Sequence, residues 1–352
     1  MSHLHLLIPA LLQPAPAALL PAAPPRLPAF ALLFGRGEHR IEPGMATEHW
    51  IAPRFGAMPD AWLPLAALAL LGSGGNPGTG AWLRADPVHL HPHGTTLTLV
   101  RSHDTALTPA DAAALCAALN DLFAGDGLRF SSLPDTPDDW YVALDRPPAL
   151  RTTPVTAVRG LGIDPWLPSG PDASAWQTRM TETQMILHTH PVNAAREAAG
   201  LLPVNSLWIW GEGALGVPLP SPSPYAAVFA DEASTRGLAL HAGAAAARVP
   251  RDLAAVLERI DAGNILVRLD AVADAKALGD TDTAQALLRH IDTAWIEPAL
   301  AALRRGRLTE VTVSAIDRHR TVSVTATRAG LRRFWRRPLS LETVAARGSP
   351  DA

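Results

Sequence analysis

Apolar positions along this chain fall into two patterns. Residues 5–8, 82–90, 128–130, 140–144, 207–210, 225–230, 264–269, 308–314 and 321–327 form short extended-type runs, and 95–100 alternates Thr with Leu or Val. Residues 61–71, 109–123, 253–261 and 282–303 instead carry helical spacing. Strands interleaved with helices predict an α/β core with a largely parallel sheet. Local punctuation supports these elements. Thr108 is suited to capping a helix that has Pro109 at its first position. Gly72 ends the first apolar helix, and the Gly-rich run after it reads as a loop.

Residues 180–216 carry the densest signal. They read as a helix, a second helix begun by Pro191, a stop at Gly200, an apolar strand over 207–210, and a turn at Gly211 and Gly213. An unbroken apolar run such as LWIW fits a strand covered on both faces. The stretch 96–174 has a β-α-β-β order followed by a Pro/Gly-rich linker. The expected organisation is a discontinuous core, 1–95 and 175–345, carrying a small α+β cap at 96–174.

With 352 residues and 48% hydrophobic content, the chain can bury a large core. The formal net charge of −3 gives no general pull toward nucleic acid or membranes. A single cysteine, Cys116, excludes an intrachain disulfide and reads as a small buried residue in the 109–123 helix. The apolar start at 1–25 lacks a basic leader region and is broken by Pro9, Pro14 and Pro16, so a first core strand and a cytoplasmic location are expected. No run reaches membrane-spanning length.

Several familiar chemistries fail on context. Residues 211–216 match G-x-G-x-x-G after a strand, but Val217-Pro218 cannot open the helix that a dinucleotide site needs. His89, His91 and His93 share a strand face, yet Pro92 and Gly94 disturb it and no carboxylate follows. His188 and His190 fall on different helix faces. Neither a nucleophile elbow nor a Walker loop is present. Ten arginines between 304 and 337 face only Glu310 and Asp317, with Phe334 and Trp335 among the last four, which offers a surface to an anionic partner.

Residues 84–90 (RADPVHL), 184–188 (QMILH), 190–193 (HPVN), Arg196 and 203–211 (PVNSLWIWG) resemble bacterial regulatory proteins of the RpfE type. More distantly, the order of elements is similar to cofactor-independent phosphoglycerate mutase of the archaeal type, in the alkaline-phosphatase-like superfamily. Residues 60–72, Arg84, Asn205, Gly211-x-Gly213, 266–292 and 311–319 carry that likeness. The resemblance implies an alkaline-phosphatase-like core, a phosphoserine intermediate, and two divalent ions (Mn, Mg or Zn) held by Asp and His. The chain departs from this pattern. Ile8-Pro9-Ala10 ends the first strand without an aspartate, Pro59-Asp60 stands where the nucleophilic Ser is expected, and Asp274 and Asp280 have no His between them. Arg318 separates Asp317 from His319.

The resulting expectation is a catalytically degenerate fold with no metal or other cofactor. It would serve a regulatory or ligand-binding role, toward a small anion or a protein partner, at Arg84, Arg196, Asn205, Gly211 and Gly213. An active mutase or phosphomonoesterase would instead need Asp60, Asp274, Asp280, Asp317 and His319 to converge on metal.

Overall fold

The computed structural model describes residues 2–13, 25–57, 63–94, 96–101, 107–158, 161–216, 223–260, 262–317 and 319–346. Its strands are β1 (His3–Pro9), β2 (Glu38–Pro43), β3 (Ala81–His93), β4 (Thr96–Arg101), β5 (Leu128–Leu133), β6 (Thr136–Leu144), β7 (Ser206–Ala214), β8 (Ala227–Ala230), β9 (Ala245–Ala247), β10 (Ile265–Arg268), β11 (Glu310–Ile316) and β12 (Arg320–Thr327). The chain divides into two compact units. One comprises 1–61 and 219–352, and the other comprises 62–218. The stretch expected as a cap, 96–174, lies within the second of these.

The first unit is built on a seven-stranded sheet in the order β2-β12-β11-β1-β10-β8-β9. From β11 to β9 the ladders are parallel, and β12 and β2 close the other edge antiparallel. As the opening apolar run predicts, β1 is a core strand, and the sheet order places it at the centre. The two faces of the sheet differ. Leu4, Leu6, Ile8, Val311, Val313, Val322, Val324, Val267 and Phe229 face the main core. The helices Pro28–Arg36, Thr281–Ile291 and Glu297–Arg305, with the π-helical turn Asp292–Ile296 joining the last two, supply its other side, through Phe30, Leu33, Leu288, Trp295 and Leu300. Alternation puts His3, His5, Thr312, Ser314, Ser323 and Thr325 on the opposite face. There they form a polar ladder that is buried at His5, Thr312 and Ser314 and half-buried at its other members. His5 Nε2 is hydrogen-bonded to Ser314 Oγ at 2.8 Å, and Ser314 Oγ to Ser323 Oγ at 2.7 Å. His3 Nε2 meets Thr312 Oγ1 at 2.9 Å, and Thr312 meets Thr325 at 2.9 Å. Tyr225 OH reaches His5 Nδ1 at 3.3 Å, and Trp50 packs edge-on against the His5 ring.

The second unit is an antiparallel sheet. Its long strand β3 pairs with β6 and β4 along one edge and with β7 along the other. The apolar β7 was expected in the parallel core, and the structure corrects that. The run is covered on both faces, but by helices packed on an antiparallel strand. Leu207 and Ile209 join the core beneath the helices Pro109–Leu122 and Ala173–His188. Trp208 and Trp210 point the other way and anchor their indole N–H groups on Thr153 O at 2.8 Å and Asp86 Oδ2 at 3.0 Å. Thr108 closes a full capping box with Asp111, and Cys116 is buried in that helix.

The glycine pair also lies inside β7 rather than in a turn beyond it. Gly211 has φ +74, and the β3 ladder shifts register opposite it, between Trp82 and Arg84. A Cβ on Gly211 would stand 2.9 Å from Ala66 N, at the start of the helix Leu65–Gly72. Gly211→Ala is therefore expected to destabilise by roughly 2 kcal/mol, combining left-handed backbone strain with a clash against backbone. Urea unfolding would measure it, and a change below ~0.5 kcal/mol would show that the helix yields freely.

Candidate functional site

In a parallel sheet, chemistry gathers where strands end at their carboxyl edge. Here β1, β8, β10 and β11 end together, and the residues just past them are Ala10, Asp231-Glu232, Leu269-Asp270 and Asp317. The edge is rich in charged side chains, two of them cationic and buried or half-buried.

Arg268, the last residue of β10, is buried and held by carboxylates brought from three parts of the chain. Its Nε donates to Asp270 Oδ1 at 2.9 Å, and Nη1 lies 3.5 Å from Glu48 and 3.6 Å from Glu232. Nη1 also donates to Thr235 Oγ1 at 2.8 Å. Glu232 in turn caps the helix Ala233–His241, accepting from the backbone N–H groups of Ser234 and Thr235 at 3.0 and 2.8 Å. Burial would raise the Glu232 pKa, but Arg268 and these hydrogen bonds hold it below the usual carboxylate value. Asp270 behaves oppositely: burial pushes it up to about 6, with Arg268 opposing only in part.

The second cation is Lys276, the single lysine of the chain. From the helix Ala271–Ala277 its Nζ donates to Ala10 O at 2.9 Å, Leu11 O at 3.2 Å and Gln13 O at 2.7 Å. Burial lowers its pKa to about 8, which still leaves the ammonium dominant near neutrality. Ala10 has φ +55, the one positive value for a non-glycine among the described residues. Lys276 thus clamps a strained turn where β1 ends.

Two of the aspartates named from the sequence serve the backbone. Asp280 caps the helix Thr281–Ile291 through Thr283 N. Asp317 Oδ1 accepts from His319 N at 2.7 Å and Arg320 N at 2.9 Å, which makes it the hinge of the β11–β12 hairpin. Asp274 is exposed on its helix, and Asp60 lies outside the described residues. No group of three or more His, Cys, Asp or Glu that could hold a metal ion occurs among the described residues. The donor chemistry agrees. Asp270 Oδ2 is a buried oxygen with no hydrogen-bond partner, but Asp270 Oδ1 is bonded to Arg268 and both Glu232 oxygens accept from N–H groups. These residues do not fit a two-metal shell, which needs several free oxygen or imidazole donors converging on each ion.

The expected ligand-binding residues lie in the other unit, each engaged with protein. Arg84 is buried, with Nη2 on Asp86 and Asp139 at 2.5 Å each and Nη1 donating to Tyr141 OH at 3.1 Å. Arg196 Nε donates to Leu202 O at 3.1 Å, closing the end of the helix Pro191–Ala198. Asn205 pairs with both backbone groups of Leu90, at 2.7 and 3.0 Å, and so extends the β3–β7 ladder. Gly211 and Gly213 serve close packing on residues 64–66. Of the histidine pairs, His89 binds Pro203 O at 2.9 Å and His190 caps its helix through Val192 N. Sequence reasoning passed over Arg268, Glu232, Glu48 and Lys276. The one available signal was a buried-type strand (264–269) ending in Arg-Leu-Asp.

No family model matches the chain. Curated 2,3-bisphosphoglycerate-independent phosphoglycerate mutases resemble parts of it. That of Methanosarcina mazei is 38% identical over 61 residues, 17% of this chain and 15% of the relative. Phosphoglycerate mutase 2 of Methanothermobacter thermautotrophicus is 27% identical over 177 residues, 44% of this chain and 42% of the relative. These matches thus span less than half the length of the relatives. Among solved structures, the cofactor-independent phosphoglycerate mutase from Thermoplasma acidophilum matches with a TM-score of 0.50 at 16% identity, covering 97% of this chain and 94% of that one. A protein from Pyrococcus horikoshii matches with a TM-score of 0.60 at 14% identity, covering 97% and 91%. The likeness to RpfE-type proteins rests on the sequence motifs alone. The chain has an α/β fold, a mixed sheet flanked by helices, that matches cofactor-independent phosphoglycerate mutase.

Proposed function

We propose that this chain is a phosphoglycerate-mutase-like protein that has given up phosphoryl transfer for a regulatory or binding role. One observation carries the reading: Arg268 and Lys276 provide the positive charge at the carboxyl edge of β10 and β1, engaging the carboxylates and carbonyls there. A metal-assisted transfer needs those oxygens for ions that stabilise charge on the phosphoryl group. A side-chain cation bound to its own acceptors stabilises the fold and has no open position for substrate. The partner in this reading is a small anion or another protein, and no cofactor is required.

The test is direct. Purified protein is assayed for bound Mn, Mg and Zn, and for turnover of 3-phosphoglycerate and a phosphomonoester with each ion added. The expected result is no stoichiometric metal and background turnover. Metal-dependent turnover that Asp274→Asn abolishes, with the melting curve unchanged, would overturn the proposal.

A further inference from the structure

After β12 the chain makes a single helical turn, Arg328–Leu331, capped by Thr327, and then runs Arg332-Arg-Phe-Trp-Arg-Arg337. The segment is held in place. Arg333 N donates to Gly330 O at 3.0 Å, Phe334 N to Arg332 O at 2.8 Å, and Arg336 N to Arg333 O at 3.0 Å. Leu331 before it is buried in the main core, Leu339 packs against that core, and Leu339 N donates to Ala31 O at 3.0 Å. Between these anchors two large aromatics face outward: Phe334 is 79% exposed and Trp335 is 68% exposed. Every other phenylalanine is buried, and the other described tryptophans are buried or half-buried. An anchored turn that displays its largest apolar side chains differs from a scattered surface residue.

Charge surrounds this pair on one side of the ledger only. Arg328, Arg332, Arg333, Arg336 and Arg337 stand in a stretch, 328–341, that contains no acid, within a chain of net charge −3. Glu38 is the acid that meets it, 3.4 Å from Arg333, and Arg336 donates to Gly37 O at 3.4 Å. The two rings pack edge-to-face, with centroids 5.3 Å apart and planes at 80°. That arrangement presents one compact apolar tip, not two parallel platforms for stacking bases.

We infer that this turn is a contact site for an anionic phospholipid surface. Phe334 and Trp335 settle at headgroup level, where amphipathic rings are favoured, and the flanking guanidiniums take lipid phosphates. Two rings and a few guanidiniums on one turn make the attachment peripheral; no helix among the described residues is long and apolar enough to cross a membrane.

The experiment is vesicle flotation of the full chain, using phosphatidylcholine alone and an equal mixture with phosphatidylglycerol. The protein is expected to float with the mixed vesicles at low salt, to remain behind with the neutral ones, and to be released by added salt. Each arginine changed among Arg332, Arg336 and Arg337 to Gln weakens binding about fivefold. The double variant Phe334→Ser, Trp335→Ser weakens it at least as much with charge unchanged. Both sets lie on exposed side chains, so folding is preserved, and melting curves confirm it. Absence of flotation at low salt, or flotation indifferent to the Phe334/Trp335 change, would overturn the inference. So would binding to an oligonucleotide that depends on these residues while vesicles are ignored.

Discussion

Replacing Arg268 with methionine is expected to cost the first unit about 3–5 kcal/mol at pH 7, the usual loss when one partner of a buried ion cluster is removed. Methionine fills much of the volume, so the loss is mainly electrostatic. Asp270, Glu48 and Glu232 would be left facing one another without a cation. Like charges at such separation raise one another's pKa, and the variant relieves itself by taking up protons. Its deficit should therefore shrink between pH 7 and pH 5. Native-state hydrogen exchange of the β10 amides measures this locally, which matters in a chain of two units where a single melting temperature mixes two events. Arg268→Lys keeps the charge but loses the planar fork, so it should fall between wild type and methionine. A loss that stays constant from pH 7 to pH 5 would mean that packing, not charge, is what Arg268 supplies.

The same cluster shows where sequence reading stops. Its members come from residues 48, 232, 268 and 270, and no local pattern links the first two to the others. What was legible was local. The run at 5–8 marks a core strand, Thr108-Pro109 a capped helix, and Pro191 the start of the helix it opens. The direction of β7 was not legible, because LWIW reports that both faces are covered and says nothing about parallel or antiparallel neighbours. Gly211 and Gly213 were recognised as positions of unusual backbone, but their cause is a helix start packed against the strand, which only the tertiary structure shows. Arg84, Arg196 and Asn205 stand out in the sequence through the family resemblance and through arginine's capacity to hold an anion. Such residues have to be satisfied somewhere, and here protein groups satisfy them.

Acid titration should expose two opposed groups in the first unit. Burial, reinforced by His3 and Arg54, pulls His5 from 6.5 to about 3, so the folded ladder keeps it neutral. Between those values the unfolded chain binds a proton that the folded one refuses, and stability falls by about 1 kcal/mol per unit as pH drops. Asp270 works in the other sense. Its carboxyl is raised from 3.8 to about 6, so the folded state binds the extra proton, and stability rises by about 1 kcal/mol per unit as pH drops through that window. From about pH 6 to pH 4 the two contributions nearly cancel in the wild type. Removing either one should unmask its partner. Relative to wild type, His5→Gln is expected to recover about 2–3 kcal/mol on going from pH 6 to pH 4, and Asp270→Asn to lose a similar amount. Urea unfolding at pH 4, 5 and 6 for the three proteins reads both slopes. Parallel pH profiles for all three would mean that neither group is held away from its ordinary protonation state, and the polar ladder and the Arg268 cluster would then have to be more open to water than their geometry indicates.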